Sequence, residues 1–252
     1  MAESVGLHWG GKGWVGAAID NGSWSVDHYP TISSAWMSHN TAHCILVTVP
    51  IGLPAPADGR RRCDEAAKEL LGPRHSSVAY APVRDAVYEI SIIEAKAVNE
   101  AADFGIQNQT WSSIPRIREV DEFLGIHDNA RKTFHETHPE VCFHALAGGD
   151  ISHPPSTPAG LDERQRILEN AAPDCIDPAL AALESLTTPR YAPLVTEPID
   201  VLDAFVAAIT ARRYPDVPTL PMAPPTDERG LPMEIIYPGD AKQLTLGDLG
   251  DR

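Results

Sequence analysis

The chain alternates between stretches of period two and stretches of helical period, in an order that predicts an α/β domain. Residues 4–8 (SVGLH) read as a short strand, followed by a glycine-rich turn at 9–13 and a second strand at 14–20 (WVGAAID). Asn21-Gly22 supplies a hairpin turn, because both residues tolerate positive φ, and residues 23–29 (SWSVDHY) read as a third strand. Residues 31–40 predict a short helix, capped by Thr31 or Ser33 and ended by Asn40. The unbroken apolar run at 44–53 (CILVTVPIGL) fits a central strand covered on both faces. Such an order opens a mixed sheet, with an antiparallel meander first and a parallel crossover after it.

The remainder is mostly helical in pattern. Helices are expected at 63–72, with Gly72-Pro73 as the stop, over most of 83–104, and at 116–125. Residues 133–138 (TFHETH) alternate and read as a strand. Pro139 then opens a helix at 139–149, ended by Gly148-Gly149. Further helices are expected at 161–171 and 198–214, the latter with Leu202, Phe205, Val206 and Ile209 in one apolar stripe. Residues 215–252 are rich in Pro, Gly and Asp and read as a wrapping tail, with an edge strand at 233–237 (MEIIY). No repeat or linker divides the chain. The expectation is one domain over 1–238 with helical insertions, and a flexible tail at 239–252.

Composition narrows the class. At 43% hydrophobic residues the chain has enough apolar material for a core, which argues against disorder. It has no apolar run of about 18 residues, so no membrane partner is expected. The N-terminus lacks the basic and apolar regions of a signal peptide, so a cytoplasmic location is the default. Cys44, Cys63, Cys142 and Cys175 are widely separated, without a CxxC pair, and read as small buried side chains. The net charge of −15 repels nucleic acid at long range, although a local basic groove is compatible with it. Nothing in the pattern sets an oligomeric state.

Polar residues that converge at strand ends are the candidates for chemistry. His8 ends the first strand. Thr48 lies in the buried run. Glu136 and His138 are two apart on a strand, so they point to one side. Asp200 and Asp203 sit near the start of a helix. Converging carboxylates would bind Mg²⁺ or Mn²⁺, and two such ions can drive phosphodiester cleavage. Each residue also has a structural reading. Asp200 fits a helix cap, Glu136 and His138 fit a hydrogen-bonded pair, and His8 fits an ordinary turn residue. Residues 60–84 are locally basic, with Arg61, Arg62 and Arg74; together with Lys12 in the Gly-rich turn they offer a phosphate-binding face or a solvated surface.

Several segments, in order, resemble the predicted RNase H-like nuclease family known as domain of unknown function 429. They are VGLHWGGKGWV (5–15), VPIGLP (49–54), RRCDEAAKELLGPRHSSV (61–78), QNQTWSSIPRIREVD (107–121), ETHPEVCF (136–143), PAGLDERQRIL (158–168), DVLDAFVAAITA (200–211) and DERGLPMEIIYP (227–238). The resemblance implies an RNase H-like fold: a mixed five-stranded sheet, three antiparallel strands first, with helices on both faces. It implies a metal-dependent nuclease acting on nucleic acid, an activity assigned to the family by fold analogy. Glu136, His138, Glu140, Asp200 and Asp203 match the family; Glu136, His138, Asp200 and Asp203 are the expected metal ligands, and His8, Glu136, Asp200 and Asp203 the expected catalytic set. The chain departs from the family at two positions. His8 and Thr48 stand where the family usually has Asp. A neutral imidazole lacks that charge and favours softer ions than Mg²⁺. Three readings follow: a nuclease with an altered metal site, a non-catalytic descendant that binds nucleic acid, a nucleotide or a protein, and an enzyme of different chemistry in the same cleft.

Overall fold

The first three strands form a meander, joined by tight turns in which Gly11 and Asn21-Gly22 take positive φ. They are β1 (Ser4–Gly10), β2 (Gly13–Asp20) and β3 (Ser23–Tyr29), paired antiparallel. Helix α1 (Ile32–His39) follows, with Thr31 and Ser34 forming a capping box. It crosses over to β4 (Cys44–Val47), which lies parallel to β1. β5 (Phe134–Glu136) then adds parallel to β4, so the strand order is β3-β2-β1-β4-β5. This is the mixed five-stranded sheet that the resemblance implies. The computed structural model describes residues 3–187 and 197–239. The expected tail at 239–252 lies, apart from Gly239, outside the described residues.

Helices cover both faces of the sheet. On one face, α1, α3 (Arg84–Val87), α4 (Ile92–Glu100) and α5 (Asn108–Ile126) pack on Val5, Leu7, Ile45, Val47 and Phe134. On the other lie α2 (Arg62–Leu71), α6 (Pro139–Ala147), α7 (Pro158–Ala171), α8 (Ile176–Leu186) and α9 (Pro198–Ala211). The four cysteines are buried and free, as their apolar neighbours suggested. Among the described residues no helix is long and apolar enough to cross a membrane.

Helix α9 packs directly on β1. Side chains alternate along β1, so Leu7 faces the first core and Gly6 and His8 face α9. A Cβ at Gly6 would land on the Ala204 carbonyl oxygen and the Ala208 nitrogen. Glycine therefore lets the helix lie directly on the strand, and Ala204, Ala207, Ala208 and Ala211 keep its underside thin. Val201, Leu202, Phe205 and Val206 are fully buried around this contact. Each side chain of this kind contributes about 1.5–3 kcal/mol on burial.

Several elements differ from expectation. β4 stops at Val47; Thr48 N still donates to Leu7 O, and the chain then turns away at Pro50, which lacks the N–H that a ladder needs. The helical stretch at 83–104 is broken between α3 and α4, where Ser91 caps a new helix by accepting from Glu94 N. α5 starts well before the expected 116 and runs through Pro115. The burial of Ile114, Ile117, Val120 and Leu124 outweighs the one lost hydrogen bond. α8, for which no helix was expected, admits Pro178 in its first turn. The 233–237 strand is reduced to β7 (Ile235–Ile236). It pairs with β6 (Thr219–Leu220) in a separate ribbon and touches the main sheet through a bridge from Ile236 to Thr137.

The α9 contact generates a prediction. Gly6→Ala should lower the unfolding free energy by about 1–3 kcal/mol, the usual cost of overpacking. Urea denaturation measures it, and an unchanged midpoint would show that the helix can withdraw from β1 freely.

Candidate functional site

A cleft of about 340 Å³ opens at the C-terminal ends of β1, β4 and β5. His8, Trp9, Thr48, Arg61, Glu136 and His138 line it, together with the hydroxyl-bearing Ser76, Ser77, Tyr80, Thr110, Ser112 and Ser113. Strand ends supply His8, Thr48 and Glu136, and the start of α6 supplies His138 as its N-cap residue. His138 therefore does not share a strand with Glu136, as its spacing had suggested: β5 ends at Glu136 and Pro139 starts the helix.

His8 sits at the centre of one polar cluster. Its Nδ1 is 2.8 Å from Thr48 Oγ1, and its Nε2 is 3.4 Å from Asp200 Oδ1. Asp203 Oδ2 lies 3.8 Å from Nδ1. The two aspartates come from the first two turns of α9, which the Gly6 contact sets over β1. Asp200 also has the capping role open to it from sequence. It is the third helical residue rather than the cap, and its Oδ2 accepts from Glu197 N at 2.7 Å. Burial works to lower the His8 pKa, but the Asp200 and Asp203 carboxylates outweigh it and hold the imidazole above its ordinary value. Burial, with Asp200 and Glu140 nearby, pushes the Asp203 carboxyl up to about 7 against the pull of His8.

Glu136 belongs to a second cluster. Its register beside Val47 points it to the sheet face opposite His8. There Arg61 clamps both its oxygens, at 2.7 and 2.8 Å, and Ile51 N donates to it as well. Arg61 also holds Asp64 at 2.6 Å and donates to the Ile51 and Gly52 carbonyls. Only 2% of Arg61 is exposed. Burial opposes its charge, but Asp64 and Glu136 keep the guanidinium protonated, raised well above its usual value. Burial likewise pushes the Glu136 carboxyl upward, against Arg61.

The expected phosphate-binding set is therefore not assembled in the cleft. Arg61 is an internal counter-ion with its donors engaged. Arg74 pairs with Glu140 at 3.1 Å and donates to the carbonyls of Ile151 and His153. Lys12 and Arg62 are exposed and stand outside the cleft lining. The basic appearance of 60–84 arose from side chains that the fold turns inward or ties to carboxylates.

The residues present do not fit a pair of hard ions. Mg²⁺ and Mn²⁺ need several free oxygen donors around one point. Glu136 is consumed by Arg61, Asp200 by His8 and its cap, and an imidazole stands at the head of β1. Among the described residues, no group of three or more His, Cys, Asp or Glu is placed to hold a metal ion. Three polar atoms around the site are nevertheless buried without a hydrogen-bond partner: Trp9 Nε1, His138 Nδ1 and Asp203 Oδ1. Burial lowers the His138 pKa, against the pull of Glu140, Asp64 and the Ser77 backbone. Trp9 is the wall residue that sequence reasoning passed over. Its place in the Gly-rich turn region was the available signal.

Two outcomes follow. Asp203 carries a raised pKa in the fold, so its contribution is complete below about pH 4 and lost as pH rises through about 7. Asp203→Asn should therefore gain on the wild type between pH 5 and 8, by about 1–3 kcal/mol in urea unfolding. A constant difference would mean that Asp203 titrates as an ordinary carboxylate. Glu136→Gln should cost about 1–3 kcal/mol, because it removes one of the two buried carboxylates that hold Arg61 and leaves only Asp64 to balance the charge. A loss below about 1 kcal/mol would show the pair to be dispensable.

No curated protein and no solved structure matches the chain. One family profile, described as protein of unknown function (DUF429), matches residues 10–226. That span takes in the glycine-rich turn, the arginine pair around α2, the β5–α6 junction and α9. The chain belongs to the DUF429 family of proteins of unknown function.

Proposed function

We propose that the chain is a ligand-binding domain of the RNase H-like type. Its cleft takes a small, uncharged, hydroxyl-rich molecule of nucleoside or sugar size, without two-metal phosphodiester cleavage. The bidentate Arg61–Glu136 pair carries this reading. It removes from the cleft both the carboxylate that would bind a metal and the guanidinium that would bind a phosphate. What is left on the wall is neutral and polar: serine and threonine hydroxyls, Tyr80, and the unpartnered Trp9 Nε1 and His138 Nδ1. A buried polar atom without a partner costs about 1–3 kcal/mol, so a ligand that supplies one acceptor and one donor is favoured if a small shift of the wall opens these enclosed atoms to it. The cleft volume suits a molecule of that size.

A second reading, metal-dependent nuclease action through His8, Asp200 and Asp203, draws on one observation, the unpartnered Asp203 Oδ1. Calorimetry with nucleosides and mono- and disaccharides, against nucleotides, Mg²⁺ and Mn²⁺, separates the two. Binding of an uncharged ligand is expected, weakened about tenfold by Trp9→Phe, which removes one hydrogen-bond donor. Cleavage of DNA, RNA or a hybrid that requires Mn²⁺ and disappears in Asp203→Asn would overturn the proposal in favour of the nuclease.

A further inference from the structure

We propose that Thr48, His8 and Asp200 form a nucleophilic relay, and that the cleft performs acyl transfer on the ester of a small hydroxyl-rich alcohol. The substrate class rests on the ligand reading above; the relay itself rests on geometry alone.

Three roles are needed for a hydroxyl nucleophile: a hydroxyl open to the cleft, a base within hydrogen-bond reach of it, and a group that orients the base. Thr48 lines the cleft and its Oγ1 is 2.8 Å from His8 Nδ1. On the far side of the ring, Nε2 is 3.4 Å from Asp200 Oδ1. A carboxylate there can only accept, and Asp200 at 3.4 Å from Nε2 is nearer than Asp203 at 3.8 Å from Nδ1, so the pair favours the neutral tautomer with the proton on Nε2. That leaves Nδ1 as the lone pair that receives the Thr48 O–H. Asp200 is itself fixed, since its other oxygen caps Glu197 N at 2.7 Å. The base is thus oriented by a group that the start of α9 holds rigidly.

A structural hydrogen bond would account for Thr48 and His8 alone. It does not account for their position at the mouth of a cleft, nor for an orienting carboxylate behind the ring. Elsewhere in the fold, Tyr29, His39 and Glu3 make a comparable chain, at 2.7 Å for each link. There the hydroxyl is buried between β3 and α1, and the arrangement serves packing. The Thr48 chain differs in opening onto the cleft.

The step balances without a cofactor. Thr48 Oγ bonds to the ester carbonyl carbon as its proton passes to His8 Nδ1. Collapse of the tetrahedral adduct breaks the ester C–O bond, and His8 returns the proton to the departing alcohol. Water then adds to the acyl-threonine, giving its proton to His8. The carboxylic acid leaves as Thr48 regains its proton. The net change is ester plus water to acid plus alcohol.

The test uses the wild-type protein with a fluorophosphonate, whose phosphorus is attacked by an activated hydroxyl with loss of fluoride. Peptide mass spectrometry should place the adduct on Thr48. Hydrolysis of p-nitrophenyl acetate should fall about 10²–10⁴-fold in Thr48→Ala and His8→Asn, and be largely kept in Thr48→Ser. Asp200→Asn should slow it while leaving the Thr48→Ser tolerance intact. An adduct absent from Thr48, or p-nitrophenyl acetate turnover equal in Thr48→Ala, overturns the relay. Labelling at Thr48 without binding of any nucleoside or sugar would sustain the relay and sink the ligand reading. Sugar binding without labelling does the reverse.

Discussion

The arrangement of this protein depends on how closely α9 can approach β1. A helix packed on a sheet is normally held off by the side chains between them. Here Gly6 has no side chain, and the alanines on the underside of α9 add little. The helix axis therefore drops onto the strand, and its first two turns arrive beside His8. Had a larger residue stood at position 6, Asp200 and Asp203 would sit out of reach of the imidazole. One missing methyl group thus connects the packing of the core to the chemistry at the strand end.

Charge is handled by pairing in two separate clusters. The sheet itself divides them: alternation along the strands sends His8 to the α9 face and Glu136 to the other. Arg61 neutralises Glu136 and Asp64 in a buried setting, where an unpaired charge would be severely unfavourable. On the opposite face, Arg164 and Arg74 hold Glu140. The cleft-side carboxylates Glu136, Asp64 and Glu140 are thus each matched by an arginine. A cleft built in this way offers hydrogen bonds rather than field strength.

Much of the fold was legible from the chain. The Asn21-Gly22 turn, the alternation of 14–20 and 23–29, and the unbroken run at 44–47 have local causes, and local causes can be read from neighbours. The capping of α1 by Thr31 and the start of α6 at Pro139 belong to the same kind. Legibility failed where tertiary burial overrode a local rule. Pro115 lies inside α5 because the apolar face around it is buried, and the run at 48–53 leaves the sheet at a proline. The site was half legible. His8, Thr48, Asp200 and Asp203 were identified by type and position, and they do come together. Glu136 was identified as well, but its partner was misread, since a run of three arginines at 60–62 looks basic and exposed until the fold encloses Arg61.

By itself, then, the sequence determined the order of elements, the turns, the helix caps, and the set of polar residues that end near the strand tips. These follow from backbone preference and hydrophobic period, which act over a few residues. The tertiary structure decided which of those polar residues face one another. Strand register put Glu136 and His8 on opposite faces, and the Gly6 contact set two aspartates on the imidazole. It also decided that Arg61 is a buried counter-ion. Pairing of charges across 75 residues of chain, from Arg61 to Glu136, depends on how distant elements pack, and no local pattern encodes that distance.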